Sequence, residues 1–293
     1  MKLLHVLGAG TPKATPNRFG SGYLLDLDGD RILIDCGPAV TQKLARAGFA
    51  PGDVSSLFFT HHHFDHNADY AAFAISRWDQ GADLIPDLRV FGPWPTSEVT
   101  ERLFGPDGAF AFDLAARLNQ PPSQIVHVQR GGTLPRRPMS LDVKVLDPHS
   151  TVETRGWGVR MDVVEHAQPY LESLAYRFEW PSGSIVFSGD TRPCRSLVDL
   201  AAGADTLVMF CWDEQSKLES LGLDRWHTGT ESAGRLAAEA GVRRLILTHI
   251  NDRLGTVHPE VAIEQARMHF SGEVIVASEL MTVGLADHGQ DLR

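Results

Sequence analysis

A chain of 293 residues, 43% hydrophobic and 22% charged, has the composition of an ordinary globular protein, with length for one large core or two modest ones. Its formal charge of -10 tells against a general polyanion binder, because nucleic-acid affinity rests mostly on Lys and Arg neutralising phosphates. That charge leaves room for a local basic patch such as Arg136 and Arg137.

The opening stretch MKLLHVLGAGTP is too short in its apolar part for a signal peptide and reads as a first strand. Strand patterns continue at GYLLDLD, RILIDC and SLFFTH, and the helical pattern AVTQKLARAG, ending at Gly48, lies between the last two. The stretch THHHFDHNAD, residues 60–69, then follows the apolar run Leu57, Phe58 and Phe59 and leads into NADYAAFAISRW, whose alanines recur at helical spacing. Its four histidines and two aspartates therefore sit where a buried strand ends and a helix begins.

LRVFG and LDVKVL fall within or beside the least regular part of the chain, about 79–140, which Pro and Gly interrupt repeatedly. We expect an irregular insertion there, near a site entrance. Arg77, Trp78, Trp94 and Phe104 are candidates to line it, or equally to be side chains partly buried at loop bases. Further strands are expected at LAYRFEW, SIVFSGD, DTLVMFCW, RRLILTH and EVIVASE, with helices at TESAGRLAAEAG, ending at Gly241, and PEVAIEQARMHF. Grouped strands followed by strand–helix alternation predict sheet packed on sheet with helices outside, in one α/β domain over 1–293.

Cys36, Cys194 and Cys211 lack zinc-finger spacing and argue against a disulfide framework. Cys36 and Cys194 are expected to be packed thiols, and Cys211 to lie nearer a pocket. No run reaches the roughly 18 apolar residues of a membrane span, and the expected compartment is the cytoplasm.

Within the histidine stretch, residues two apart in extended chain project to one side, so His61 and His63 can grip one cation while His62 points elsewhere. Asp65 and His66, on the turn into the helix, can reach a second. Imidazole and carboxylate both suit zinc. Three more candidates each follow an apolar run: His166 after MDVVEH begins, Asp190 at the end of SIVFSGD, and His249 at the end of RRLILTH. Rigid strands would deliver them to a sheet edge, where a site is best supported.

The order THxHxDH, isolated His, GDT, LTHI, together with VLGAGTP, ILIDCGPA and WHTGTESA, resembles the metallo-β-lactamase superfamily, most of all its ribonuclease Z-like and arylsulfatase-like branch. The resemblance covers nearly the whole chain and implies an αββα sandwich. It also implies His61, His63 and His166 on one zinc ion, Asp65, His66 and His249 on a second, and Asp190 bridging. Two ions on the order of 3.5 Å apart would lower the pKa of a shared water and supply hydroxide near neutral pH, with Asp65 orienting it. Manganese or iron could occupy the same ligands. The redox di-iron branch generally carries Glu where this chain has His63, which favours hydrolysis.

The resemblance also places His227 near the substrate, to stabilise a developing oxyanion or protonate the leaving group. The alternative is that His227 and Thr228 merely open a helix capped by Thr228 or Thr230. Two departures bear on substrate. Where ribonuclease Z has His-Glu-Ala-Thr, this chain has Phe210, Cys211, Trp212 and Asp213, so support for His227 is altered unless Asp213 or Glu214 replaces it. The long arm usual in transfer-RNA processing relatives, between the isolated His and GDT, is also missing between His166 and Asp190.

These departures favour a small substrate: a phosphodiester, sulfate ester, carboxylic ester or lactone cut by metal-bound hydroxide, with Phe64, Trp157, Trp212 and Asp213 as pocket candidates. Nucleic acid is not the expected partner. The alternatives are ribonuclease Z-type cleavage of RNA and a non-catalytic metal-binding accessory protein. Homodimers are common in the resembled family, which leaves a homodimer open. His5, His127, His149, His258, His269 and His288 lack ligand context.

Overall fold

The computed structural model describes residues 1–285, so His288 lies outside the described residues. The first six strands run in chain order: β1 (Lys2–Gly8), β2 (Gly22–Leu27), β3 (Asp30–Ile34), β4 (Val54–Phe58), β5 (Leu88–Gly92) and β6 (Leu141–Val145). The next seven are β7 (Thr151–Glu153), β8 (Gly158–Val163), β9 (Leu174–Trp180), β10 (Gly183–Phe187), β11 (Thr206–Phe210), β12 (Arg244–Thr248) and β13 (Glu273–Val276). A last strand, β14 (Thr282–Gly284), returns to pair with β1. Two seven-stranded sheets result, ordered β14-β1-β2-β3-β4-β5-β6 and β13-β12-β11-β10-β9-β8-β7.

Chain order explains the pairing. Connections without a helix make β1–β2–β3 and β8–β9–β10 antiparallel, whereas helical crossovers make β3 to β6 and β10 to β13 parallel. The helices are α1 (Val40–Arg46), α2 (Phe64–Asn67), α3 (Tyr70–Gly81), α4 (Thr96–Phe104), α5 (Ala111–Asn119), α6 (Pro121–Gln129), α7 (Arg195–Ala201), α8 (Gln215–Leu221), α9 (Thr230–Ala240) and α10 (Pro259–Arg267). One apolar cluster fills the space between the sheets, a second lies under α7, α9 and α10, and a third under α1 and α3. The architecture is an αββα sandwich. Helix α9 stops at Gly241, whose φ of +67° suits glycine, while α1 closes earlier, at Arg46.

Phe58 sits at the centre of the inter-sheet layer. It stacks on Phe91 at 4.5 Å and meets Phe178 and Tyr176 edge-on at 5.3 and 5.4 Å, pairs that contribute about 0.5–1.5 kcal/mol each beyond burial. This layer floors the sheet edge just beyond β4.

Residues 79–140 are more ordered than their Pro and Gly content suggests, holding β5 and helices α4, α5 and α6. Pro121 occupies the first turn of α6, where its missing N–H costs nothing. Arg77 is buried and donates to the carbonyls of Val54 and Pro86, and Trp78 packs under Arg136. Phe104 meets Tyr70 and Phe110. These three brace the segment; Trp94 alone of the four entrance candidates is exposed beside the histidine stretch. All three cysteines are free and buried, and burial pushes the Cys36 and Cys211 thiols up, which removes them as nucleophiles. Among the described residues, no helix is long and apolar enough to cross a membrane.

Candidate metal centre

Parallel strands bring their C-terminal ends to one edge of the sandwich. His61 follows β4, His166 follows β8, Asp190 follows β10 and His249 follows β12, each by a few residues. α2 then presents Asp65 and His66. The close approach of the 20s loop needs glycine: a Cβ on Gly20 or Gly37 would lie 2.2 Å from the Asp65 carbonyl oxygen. His249 itself has φ +52°, a left-handed conformation that an ordinary side chain adopts only when its surroundings enforce it.

Three ligand groups form, each with its donor atoms within 4.8 Å of one another: His61, His63 and His166; His61, His66 and Asp190; Asp65, His66 and His249. In the first, His63 Nδ1 lies 3.0 Å from His61 Nε2 and 3.1 Å from His166 Nε2. Tetrahedral ligands at a Zn–N distance of about 2.0–2.1 Å stand about 3.3 Å apart, so these nitrogens are close to that spacing. Asp190 spans the groups. Its Oδ1 is 3.3 Å from His66 Nε2, while Oδ2 is 3.2 Å from His249 and 3.9 Å from His166. Asp65 Oδ2 accepts from His249 Nε2 at 3.0 Å.

Protonation in the first group fits metal capture. Burial holds His61 well below its ordinary value, lowers His63, and lowers His166 to about 4, leaving three neutral imidazoles at pH 7. Burial alone would also lower His66, but the carboxylates of Asp190 and Asp35 outweigh it and hold this imidazole well above the usual range. Asp190 is desolvated, yet His249 and His66 keep its carboxyl well below the ordinary value. His66 Nε2, buried between Asp65 and Asp190, has no hydrogen-bond partner of its own. A buried donor set of this kind suits a divalent cation.

Asp35 is the residue that sequence reasoning missed. It follows β3 and is buried, with φ +57°. His66 Nδ1 donates to its Oδ2 at 2.7 Å, the Thr60 N–H to Oδ1 at 2.8 Å and the Ser21 hydroxyl to Oδ2 at 3.1 Å. It orients His66 from behind. The available signal was an aspartate directly after the strand RILI, as Asp190 follows SIVF two residues further on.

His227 is half-buried, with its ring 4.9 Å from Trp212 and 6.0 Å from Phe210, which in turn lies 4.9 Å from His249. Burial lowers its pKa, and its Nδ1 has no partner. Trp212 thus lines the site. Neither threonine caps α9, whose N-cap is Gly229; Thr228 donates to the Thr191 carbonyl beside Asp190, and Thr230 to Gln265. Phe64 is exposed between two candidate ligands.

Two expected pocket residues lie elsewhere. Trp157 is buried between the sheets and donates to Asp30, at the opposite end of the strands from the histidines, because it precedes β8 whereas His166 follows it. Asp213 is captured by Lys217 one helical turn on and by Arg253, and Glu214 by Arg253 and Gln265. Neither carboxylate makes a hydrogen bond or ion pair with His227, so they do not replace the missing support. His62 bonds Thr96 and Asn67, away from the ligand groups.

The pKa directions carry a stability consequence. His62 and His166, both at about 4 when folded, bind protons only on unfolding as pH falls from 6.5 towards 4. Their contribution is therefore full above 6.5 and lost across that window. His66, raised, has the opposite sign: its contribution is full below 6.5 and lost as pH rises through its folded value. The urea midpoint of metal-free protein is expected to drop between pH 7 and pH 5; a midpoint that rises instead would contradict the burial of neutral imidazoles.

A family model described as the beta-lactamase superfamily domain matches residues 30–250. Ribonuclease Z of Mycolicibacterium gilvum is 33% identical over 258 residues, covering 83% of this chain and 82% of its own. Ribonuclease Z of Mycobacterium bovis is 30% identical over 290 residues, covering 95% and 96%. Among solved structures, the metallo-beta-lactamase fold protein YhfI from Bacillus subtilis superposes with a TM-score of 0.71 at 21% identity, over 96% of this chain and 98% of its own.

Proposed function

Because the chain belongs to the metallo-β-lactamase superfamily, in its ribonuclease Z-like branch, and is a metal-dependent hydrolase, we propose that it cleaves phosphodiester bonds in RNA at a binuclear zinc centre. In this reading His61, His63 and His166 hold one ion and Asp65, His66 and His249 the other. The observation that carries it is Asp190, whose two oxygens face His66 on one side and His249 and His166 on the other. Two divalent ions held there would supply Lewis acidity and an acidified water.

The chain's own residues do the rest. Asp65, held by His249, orients the attacking group. His227, neutral and set against Trp212, offers an N–H to the oxygen that gains charge as the bond breaks. RNA replaces a small ester as the first choice for two reasons. The ribonuclease Z of Mycobacterium bovis aligns with this chain over 290 residues and 96% of its own length, so a missing arm of tens of residues does not set this chain apart from it. The relative from Mycolicibacterium gilvum also carries that name. A small phosphodiester is the second reading, favoured by the charge of -10.

The test is turnover by zinc-loaded protein of a structured precursor RNA and of an aryl phosphodiester. Cleavage of the RNA is expected, with His227→Ala lowering kcat by about 100- to 1,000-fold. Turnover of the aryl diester alone would transfer the assignment to a small substrate, and turnover of neither would end the phosphodiester reading.

A further inference from the structure

Four aromatic side chains stand exposed around this centre: two on segments that carry metal candidates, one beside His227, and one linked to the first two segments by hydrogen bonds. Phe64, 58% exposed, separates His63 from Asp65, and Trp226, 60% exposed, immediately precedes His227. Tyr170, 82% exposed, lies four residues after His166. Trp94, 49% exposed, donates its backbone N–H to Glu172 on the same connection, and two residues later Thr96 bonds His62. Singly exposed rings are ordinary on a protein surface, but several gathered around one centre mark a place where something binds.

Most cations nearby are already engaged, Arg225 beside Trp226 being the exception. Arg192, after Asp190, pairs with Glu165 and donates to the Arg225 carbonyl, and Lys217 and Arg253 serve Asp213 and Glu214. The usual way to hold a nucleic-acid strand, phosphates neutralised by free Lys and Arg, is therefore weakly represented around this centre. Rings remain. Stacking on aromatic side chains holds unpaired bases whatever their identity, and needs no cation.

We propose that Phe64 and Trp226 stack unpaired bases next to the scissile phosphate, with Tyr170 and Trp94 extending the platform along the strand. This assignment rests on the phosphodiester reading for its substrate, and it makes recognition at the cut site base-dependent and only weakly dependent on salt.

Two measurements test it with zinc-loaded protein. Adenosine 5′-monophosphate, which has no diester to cut, is expected to quench tryptophan fluorescence, whereas ribose 5-phosphate, the same phosphate without a base, leaves it unchanged. The quench should be lost in Trp226→Leu. In RNA cleavage, Phe64→Ala and Trp226→Ala are each expected to raise KM about ten-fold or more, with KM carrying most of the loss in kcat/KM, and Phe64→Tyr to restore it. Equal quenching by both phosphates, or alanine variants with the parent KM, would overturn the stacking assignment even if RNA is cleaved. A base-dependent quench in protein that cleaves no RNA would leave the platform standing and remove the reaction instead.

Discussion

Asp190→Ala is expected to lower turnover by roughly four orders of magnitude or more while leaving the fold intact, because one side chain serves every part of the centre at once. Its carboxylate is the only one that approaches His66, His249 and His166 together among the described residues. Losing it leaves His66 with Asp65 at 3.7 Å as its nearest acid on that side. The expected signature is double: activity at the blank, and metal content per chain below that of the parent protein by elemental analysis. The folded state should survive, since Asp190 carries charge at the edge and fills no apolar layer. A variant with parental turnover would mean that the chemistry lies elsewhere in the molecule.

Asp35→Asn tests the less visible half of the site. The carboxylate accepts from Ser21, Thr60 and His66 simultaneously, and an amide turns one of its two acceptors into a donor facing N–H and O–H groups. We expect metal affinity to weaken about 10- to 100-fold, read by competition with a chelator. Stability should fall by about 1–3 kcal/mol, read from urea unfolding, because buried donors lose their partner. Affinity unchanged from the parent would show that His66 needs no orientation from behind.

Why Asp190 was legible and Asp35 was not is instructive. Both follow apolar strand runs, SIVF and RILI. What distinguished Asp190 was a motif; what makes Asp35 matter is that β3 and β4 pair in parallel, with Ile34 opposite Phe58, which brings it against Thr60 and His66. Strand ends can be read from apolar runs, but which ends meet is a property of sheet order. Trp157 shows the same limit: near a ligand-bearing strand in sequence, it lies at that strand's other end. Asp213 failed through local competition, since Lys217 at i+4 and Arg253 reach it. The helices within 79–140 were hidden by Pro and Gly, which here fall at helix starts and in the turns between helices rather than inside them.

The candidate ligands are divided between the two sheets: His61, His63, Asp65 and His66 hang from the end of β4, and His166, Asp190 and His249 from β8, β10 and β12. Between the sheets lie mainly apolar side chains, which attract without fixing a direction; a few hydrogen bonds, such as Leu174 N–H to Thr60 and Tyr176 hydroxyl to Phe59, are the directional exceptions at this edge. Ions seated there would act as a buckle, setting how one half sits on the other. Starved of metal, such a chain loses its fastening before it loses its core. Amide exchange should then quicken first around 60–66 and 166–174, and the same opening would give proteases their earliest hold. The supply of metal would in that way govern how long the protein lasts as well as how fast it works.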